Sequence, residues 1–148
     1  MNNSMDQYSS PLKIEETKLG IKYWLNPRRT KPGRELLVIY DQRLPFMKFK
    51  LRYSYYVRFL EEGVAAGNHY HKKKEEIFIP LAGEFEVHLE NIVSKEREII
   101  KLNAFENVAF YVRTNVSHKV TSNKKEGVLL IMASQPNNDE DDIDHQLD

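Results

Sequence analysis

Strict alternation of apolar and polar side chains is the feature that most constrains how this chain can fold. Across residues 47–59 the odd positions read Met, Phe, Leu, Tyr, Tyr, Val, Phe, and the even positions from Lys48 to Arg58 read Lys, Lys, Arg, Ser, Tyr, Arg. Successive side chains of an extended strand point to opposite faces, so this segment has one apolar and one polar face. Residues 84–90 repeat the pattern, with Phe85, Val87 and Leu89 set against Glu84, Glu86, His88 and Glu90. Shorter runs predict strands over residues 36–40, 76–81, 98–102, 108–112, 118–121 and 128–133. Turn chemistry separates them: Thr30-Lys31-Pro32-Gly33, Ala82-Gly83, and Ser122-Asn123-Lys124-Lys125. No segment sustains a helical period, and only the acidic end, residues 139–147, is open to a short helix or an irregular path. Many short strands with turns between them predict an all-β sandwich or barrel with few or no helices.

One domain suffices for 148 residues, with residues 1–10 expected to be flexible and residues 136–148 forming an acidic tail. Twenty-two basic residues balance twenty-two acidic ones, which argues against a nucleic-acid binder. Charge is clustered locally, in Arg28, Arg29, Lys31 and Arg34, in Lys72, Lys73 and Lys74, and in the acidic run 139–144. Each cluster reads first as solvated surface; the basic ones have a phosphorylated ligand as their sharper alternative. The chain lacks an apolar run of membrane-spanning length and a secretory leader, so a cytoplasmic protein with no membrane partner is expected. Without cysteine there is neither disulfide nor thiolate chemistry.

The stretch with chemical content runs from Gly63 to Gly83, G-V-A-A-G-N-H-Y-H-K-K-K-E-E-I-F-I-P-L-A-G. Its glycine, His-x-His, glutamate and closing glycine fall at Gly63, His69, His71, Glu76 and Gly83, the spacing of the first cupin motif. His118, in R-T-N-V-S-H-K-V, is the candidate histidine of the second motif, although Arg113, Asn115 and Asn107 replace its usual proline and glycines. Two residues apart on a strand means one face, so His69 and His71 can share a cavity. Joined by Glu76 and His118, they offer three imidazoles and a carboxylate, a ligand set for a divalent transition metal. Without a metal the same imidazoles can carry protons at neutral pH. His88 and His145 read as surface residues, and Trp24 as a packing residue.

The chain resembles the RmlC-like cupins, and within them the dTDP-sugar 3,4-ketoisomerases and their WxcM-like relatives of bacterial surface-polysaccharide synthesis. The resemblance rests on R-E-L-L-V-I-Y, L-P-F-M-K-F-K-L-R-Y-S-Y-Y-V, N-H-Y-H-K-K, and V-L-L-I-M-A-S before an aspartate-rich end. It implies a homodimeric enzyme, an isomerase that moves the ketone of a dTDP-4-keto-6-deoxyhexose through an enediol without a redox cofactor. His69 and His71 are then the proton-transfer pair, with Tyr56 lining the pocket and Arg52, Arg58 and His118 binding the nucleotide sugar. Tyr56, Arg52 and Arg58 share the polar face of their strand, and the sequence leaves open whether that face or the apolar one lines the barrel. If Tyr53, Tyr55 and Phe59 face outward, they need a second copy to cover them. Two positions depart from the family pattern: Ala66 replaces an arginine, and Glu76 a glutamine. The alternative readings are a metal-binding cupin using His69, His71, Glu76 and His118, and a non-catalytic module that binds a sugar or small metabolite.

Overall fold

The alternating segments are strands, and their apolar faces meet. The structure, a computed structural model, describes residues 6–44 and 50–147. Residues 1–5 of the expected flexible start, the Pro45-Phe46 step, and the Met47, Lys48 and Phe49 positions of the alternating segment lie outside the described residues. In chain order the strands are β1 (Lys13–Glu16), β2 (Gly20–Trp24), β3 (Tyr53–Phe59), β4 (Ala65–Tyr70), β5 (Glu76–Ala82) and β6 (Glu84–Asn91). They continue with β7 (Arg97–Asn103), β8 (Val108–Val112), β9 (Val116–Ser122), β10 (Gly127–Ala133) and β11 (Ile143–Asp144). The helical content of the described residues is two 3₁₀ turns, Ala104–Glu106 and Asp139–Asp141.

Two antiparallel sheets result, one ordered β1-β2-β8-β5-β10-β3 and the other β11-β4-β9-β6-β7. Between them lies one buried cluster: Phe59, Phe78, Phe110, Leu129 and Ile131 from the first sheet meet Phe85, Val87, Leu89, Leu102 and Val120 from the second. Each inward residue of β6 is one predicted by alternation, because burial of that face is what drives the sheets together. Trp24 packs against this cluster, and the ammonium groups of Lys13 and Lys22 lie over its ring at 4.7 and 5.1 Å.

The expected strand at residues 36–40 does not form. Apart from one bridge between Arg28 and Leu36, the segment is irregular. Leu25, Leu37, Ile39, Tyr40 and Leu44 instead pack on the outer face of the first sheet, over Ile21, Tyr23, Ile77, Ile79, Ala109, Tyr111 and Met132. The apolar residues are buried as the pattern demands, but β8 and β5 beneath them are already paired on both edges. A segment lying across a sheet face finds no free ladder to join. This cover also explains why β8, Val-Ala-Phe-Tyr-Val, is buried on both faces. The hairpin of β1 and β2 gave no sequence signal, because Lys-Ile-Glu-Glu of β1 is an exposed edge strand without an apolar face.

Gly67 sits where β4 slips register against β9, with φ +100°. A Cβ there would lie 2.5 Å from the carbonyl oxygen of His118. Gly33 has a comparable φ of +74° with nothing near it. Gly67→Ala therefore combines backbone strain with a clash and should destabilise the protein by more than about 1 kcal/mol. Gly33→Ala should cost less, and urea denaturation of the two variants side by side checks the order.

Candidate active site

Three strands bring the motif residues together. His69 on β4 pairs in register with His118 on β9. His71 follows one residue after β4, and Glu76 opens β5 on the opposite sheet. The ring centroids are 4.8 Å apart for His69 and His71, 4.8 Å for His69 and His118, and 5.5 Å for His71 and His118. One ligand atom from each of His69, His71, Glu76 and His118 lies within 4.8 Å of all the others. His71, Glu76 and His118 are 4%, 2% and 3% exposed. Asn107 and Asn115, standing in for glycines of the second motif, adopt left-handed conformations with φ of 53° and 61°. Asparagine tolerates that region better than most residues, so the turns around His118 keep their shape.

Glu76 Oε1 is 3.3 Å from His71 Nε2 and 3.2 Å from His118 Nε2. The His71 and Glu76 atoms are close but aim past one another, and neither has an aligned hydrogen-bond partner. The other nitrogen of each ring lies close to an oxygen of the chain, within a hydrogen bond for His71 and His118. His71 Nδ1 lies 2.7 Å from the carbonyl of Asp141, His69 Nδ1 lies 2.9 Å from Asp142 Oδ1, and His118 Nδ1 lies 3.2 Å from the carbonyl of Val116.

These surroundings separate the protonation states. Burial, reinforced by the neighbouring His118, pushes the pKa of His69 down to about 4, so its imidazole is neutral at pH 7. For His71 burial acts in the same direction, but the Glu76 carboxylate and the Asp141 carbonyl outweigh it and raise the pKa above the ordinary histidine value. Burial opposes ionisation of Glu76 as well, yet His118 and His71 overcome it and hold the carboxyl well below the usual range. A neutral imidazole thus stands beside one whose proton is held more tightly than usual by a buried carboxylate.

A cavity of about 180 Å³ opens on this cluster, with Tyr55, His69, Glu76 and His118 as its polar wall and Val57, Phe78 and Ile131 among its apolar lining. The larger hollows, along residues 28–36 and 135–141, are open clefts that none of the imidazoles lines. His71 lies behind the wall and does not border the cavity.

Three site expectations are corrected. Tyr56 is 62% exposed, and Arg52 and Arg58 are exposed too, so none of them reaches the cavity. The apolar face of β3 fills the space between the sheets, which turns the even residues outward. Tyr55 is the tyrosine of the site, its hydroxyl 3.4 Å from Glu76 Oε2. Burial first, then the Glu76 charge, raises its pKa and keeps the phenol protonated. Parity was the available signal: Tyr55, with Tyr53, belongs to the face that carries Val57 and Phe59. The same inward orientation removes Tyr55 and Phe59 as a reason to expect a second copy.

Glu76 faces inward, whereas Glu75 accepts a hydrogen bond from the Tyr111 hydroxyl. Of the Lys72–Lys74 triplet, Lys72 and Lys73 are exposed, as a solvated cluster should be, whereas Lys74 is buried with its ammonium 2.9 Å from Asn137 Oδ1; the backbone N–H groups of all three converge on the Asp141 carboxylate. His145, expected at the surface, is only partly exposed, and its Nε2 lies 3.1 Å from Glu90 Oε1. His88 is partly exposed beside Glu86. The tail is neither loose nor helical beyond one turn; it adds β11 to the edge of β4. Nothing in its sequence announced Asp141 or Asp142 as site residues.

The family model described as WxcM-like, C-terminal (FdtA) matches residues 25–147. Comparison with curated proteins returns no match. Among solved structures, the sugar 3,4-ketoisomerase QdtA from Thermoanaerobacterium thermosaccharolyticum, in complex with TDP, is 27% identical over 74% of this chain and 76% of that one, with a TM-score of 0.64. The TDP-quinovose 3,4-ketoisomerase WlaRB from Campylobacter jejuni is 22% identical over 74% and 80%, with a TM-score of 0.65. The dTDP-4-dehydrorhamnose 3,5-epimerase from Bacillus anthracis, with TDP and pyrophosphate bound, is 12% identical over 88% and 81%, with a TM-score of 0.79. The last establishes the RmlC-like cupin fold.

The protonation states set a pH signature. His69, lowered to about 4, contributes stability that is present above the ordinary histidine value near 6.5 and lost as pH falls through 4. His71, raised, contributes below that value and loses its contribution as pH rises past its folded pKa. Thermal melting should fall between pH 6.5 and 4, and His69→Gln should flatten that fall. An unchanged slope in the variant would show that His69 is not the group titrating.

Proposed function

Because the chain belongs to the WxcM-like, C-terminal family, we propose that it is a sugar-nucleotide isomerase that moves the ketone of a dTDP-4-keto-6-deoxyhexose from C4 to C3. The observation that carries this reading is a neutral imidazole, His69, on the wall of a small cavity beside a protonated phenol, Tyr55. At about 180 Å³ the cavity is below the 300–1,000 Å³ of sites that enclose a whole drug-sized ligand, so it takes the reacting sugar and leaves the nucleotide outside. The names of the similar proteins, several bound to TDP or a TDP-sugar, support this substrate class.

In this reading His69 removes the proton from C3, and the electron pair forms the C3–C4 double bond as the ketone oxygen becomes an enediolate. The Tyr55 hydroxyl donates a hydrogen bond to that oxygen. His71, whose proton the Glu76 carboxylate holds more tightly than usual, stands behind His69 with ring centroids 4.8 Å apart. The O3 hydroxyl proton passes to O4, the C3 oxygen becomes the ketone, and His69, after exchanging its proton with solvent, delivers one to C4. Atoms and electrons balance without an external oxidant or reductant. Sequence resemblance made His69 and His71 equal partners; here His69 meets the sugar and His71 supports it.

A second reading has its own observation. Buried Nε2 of His71 and Oε1 of Glu76, 3.3 Å apart and unaligned, face a common point with His69 and His118, as ligands of a divalent ion do. Iron, manganese, zinc or nickel would fit this donor set, and a bound ion would act as a Lewis acid toward the substrate oxygens.

Incubation with TDP-4-keto-6-deoxyglucose in deuterated water tests the first reading. Isomerisation with deuterium at the carbons flanking the ketone is expected, and His69→Gln should slow it by roughly two orders of magnitude or more. No exchange with retained sugar-nucleotide binding would make the chain a binding module. Loss in His71→Gln with full activity in His69→Gln would reverse the two roles. Elemental analysis and thermal melting after metal supplementation test the second reading; no metal gained and no shift in melting would reject it.

A further inference from the structure

The cavity beside His69 changes character along its length. His69 and His118 form one cross-strand pair, and Glu76 meets His118 from the opposite sheet. Two residues further along the strands, about 7 Å, Val120 pairs with Ala66, and Ile131 pairs with both Tyr55 and Phe78. Tyr55 turns its hydroxyl back toward Glu76, so this row presents hydrocarbon. In the next row Leu129 pairs with Val57. All of these side chains line the cavity, which is therefore charged at one end and apolar at the other.

The lining residues with solvent exposure, Tyr55, Val57, Ala66, Gly67 and His69, belong to β3 and β4, whereas those of β5, β9 and β10 are buried. The mouth thus runs between β3 and β4 and spans both ends. A pyranose that enters with its nucleotide-bearing C1 outward presents C4 innermost, with C3 and C5 on opposite flanks. If C3 meets His69 and the ketone oxygen meets Tyr55, the C5 flank falls on the apolar end. There the side chains of Val57, Val120 and Leu129 carry no donor or acceptor, and β9 and β10 are paired on both edges, so their main chain is already bonded.

We propose that Val57, Val120 and Leu129 form the subsite for the substituent on C5 and select a methyl group over a hydroxymethyl group. This rests on the isomerase reading and adds to it the residues that choose among its sugars. A methyl fills the apolar end, whereas a hydroxyl buried there loses its hydrogen bonds to water and gains none.

The test is calorimetric titration of the full chain with TDP-6-deoxyglucose, TDP-glucose and TDP-xylose, which differ only in bearing methyl, hydroxymethyl or hydrogen at C5. They lack the ketone, so they bind without turning over. TDP-6-deoxyglucose should bind tightest, with TDP-glucose weaker by roughly ten- to a hundredfold and TDP-xylose by roughly tenfold. Val57→Thr puts a hydroxyl of nearly the same shape on that flank, at a partly exposed position, and should narrow the methyl-to-hydroxymethyl ratio severalfold. TDP-glucose binding as tightly as TDP-6-deoxyglucose would overturn the subsite and leave the isomerase reading standing. So would TDP-xylose matching TDP-6-deoxyglucose, or a folded Val57→Thr protein with an unchanged ratio. Binding of none of the three would remove the isomerase reading and the subsite with it.

Discussion

A buried carboxylate is the constraint around which the rest is arranged. Glu76 belongs to β5 of one sheet, and the two imidazoles that meet it come from the other, His71 at the end of β4 and His118 on β9. An isolated charge in such a place costs several kcal/mol, and only well-placed partners offset it. The sheets therefore cannot slide past one another without stranding that charge. Apolar contact would hold them together in many registers; the carboxylate admits one. The same carboxylate raises the pKa of His71, whereas burial and His118 keep His69 the neutral ring at the wall.

Most of the fold was legible because alternation is a direct consequence of strand geometry. Residues 84–90 and 108–112 became β6 and β8, and β6 turns inward the face expected of it. The His-x-His spacing was equally direct, since one intervening residue returns a side chain to the same face. What failed were cases in which the pattern has two solutions. Residues 36–40 carry the periodicity of a strand, but burial against a sheet face satisfied it without pairing. On β3 the sequence distinguishes two faces but does not say which is inside; packing chose the odd one, and Tyr55 took the place expected for Tyr56. Asp141 and Asp142 were illegible for a different reason. Their partners lie about 70 residues away, and an acidic run has no local feature that marks one carboxylate for burial.

Likeness to known structures and local chemistry speak to different questions here. Cupin relatives at 12–27% identity share the barrel, and a barrel supports many reactions. The individuality of this chain lies in its wall, at Ala66 and Glu76, the two positions where the sequence departs from the pattern it resembles. Ala66 leaves that side of the cavity small and apolar, and a charged group gripping a diphosphate would have to come from elsewhere. Glu76 brings a permanent negative charge to the floor. The asparagines at 107 and 115 differ in kind, for they change the residue and keep the backbone.

The Asp141 anchor has a consequence for biogenesis. The loop after β4 leaves the ribosome 69 residues ahead of the carboxylate that gathers its amides. Until then those N–H groups have only water, and His69 and His71 lack their tail partners. Contacts so far apart in sequence form slowly, after the loop between them has closed. The barrel can therefore collapse around its apolar faces while the cluster of His69, His71, Glu76 and His118 still lacks its neighbours from the tail, and the cluster is complete only when β11 docks on β4.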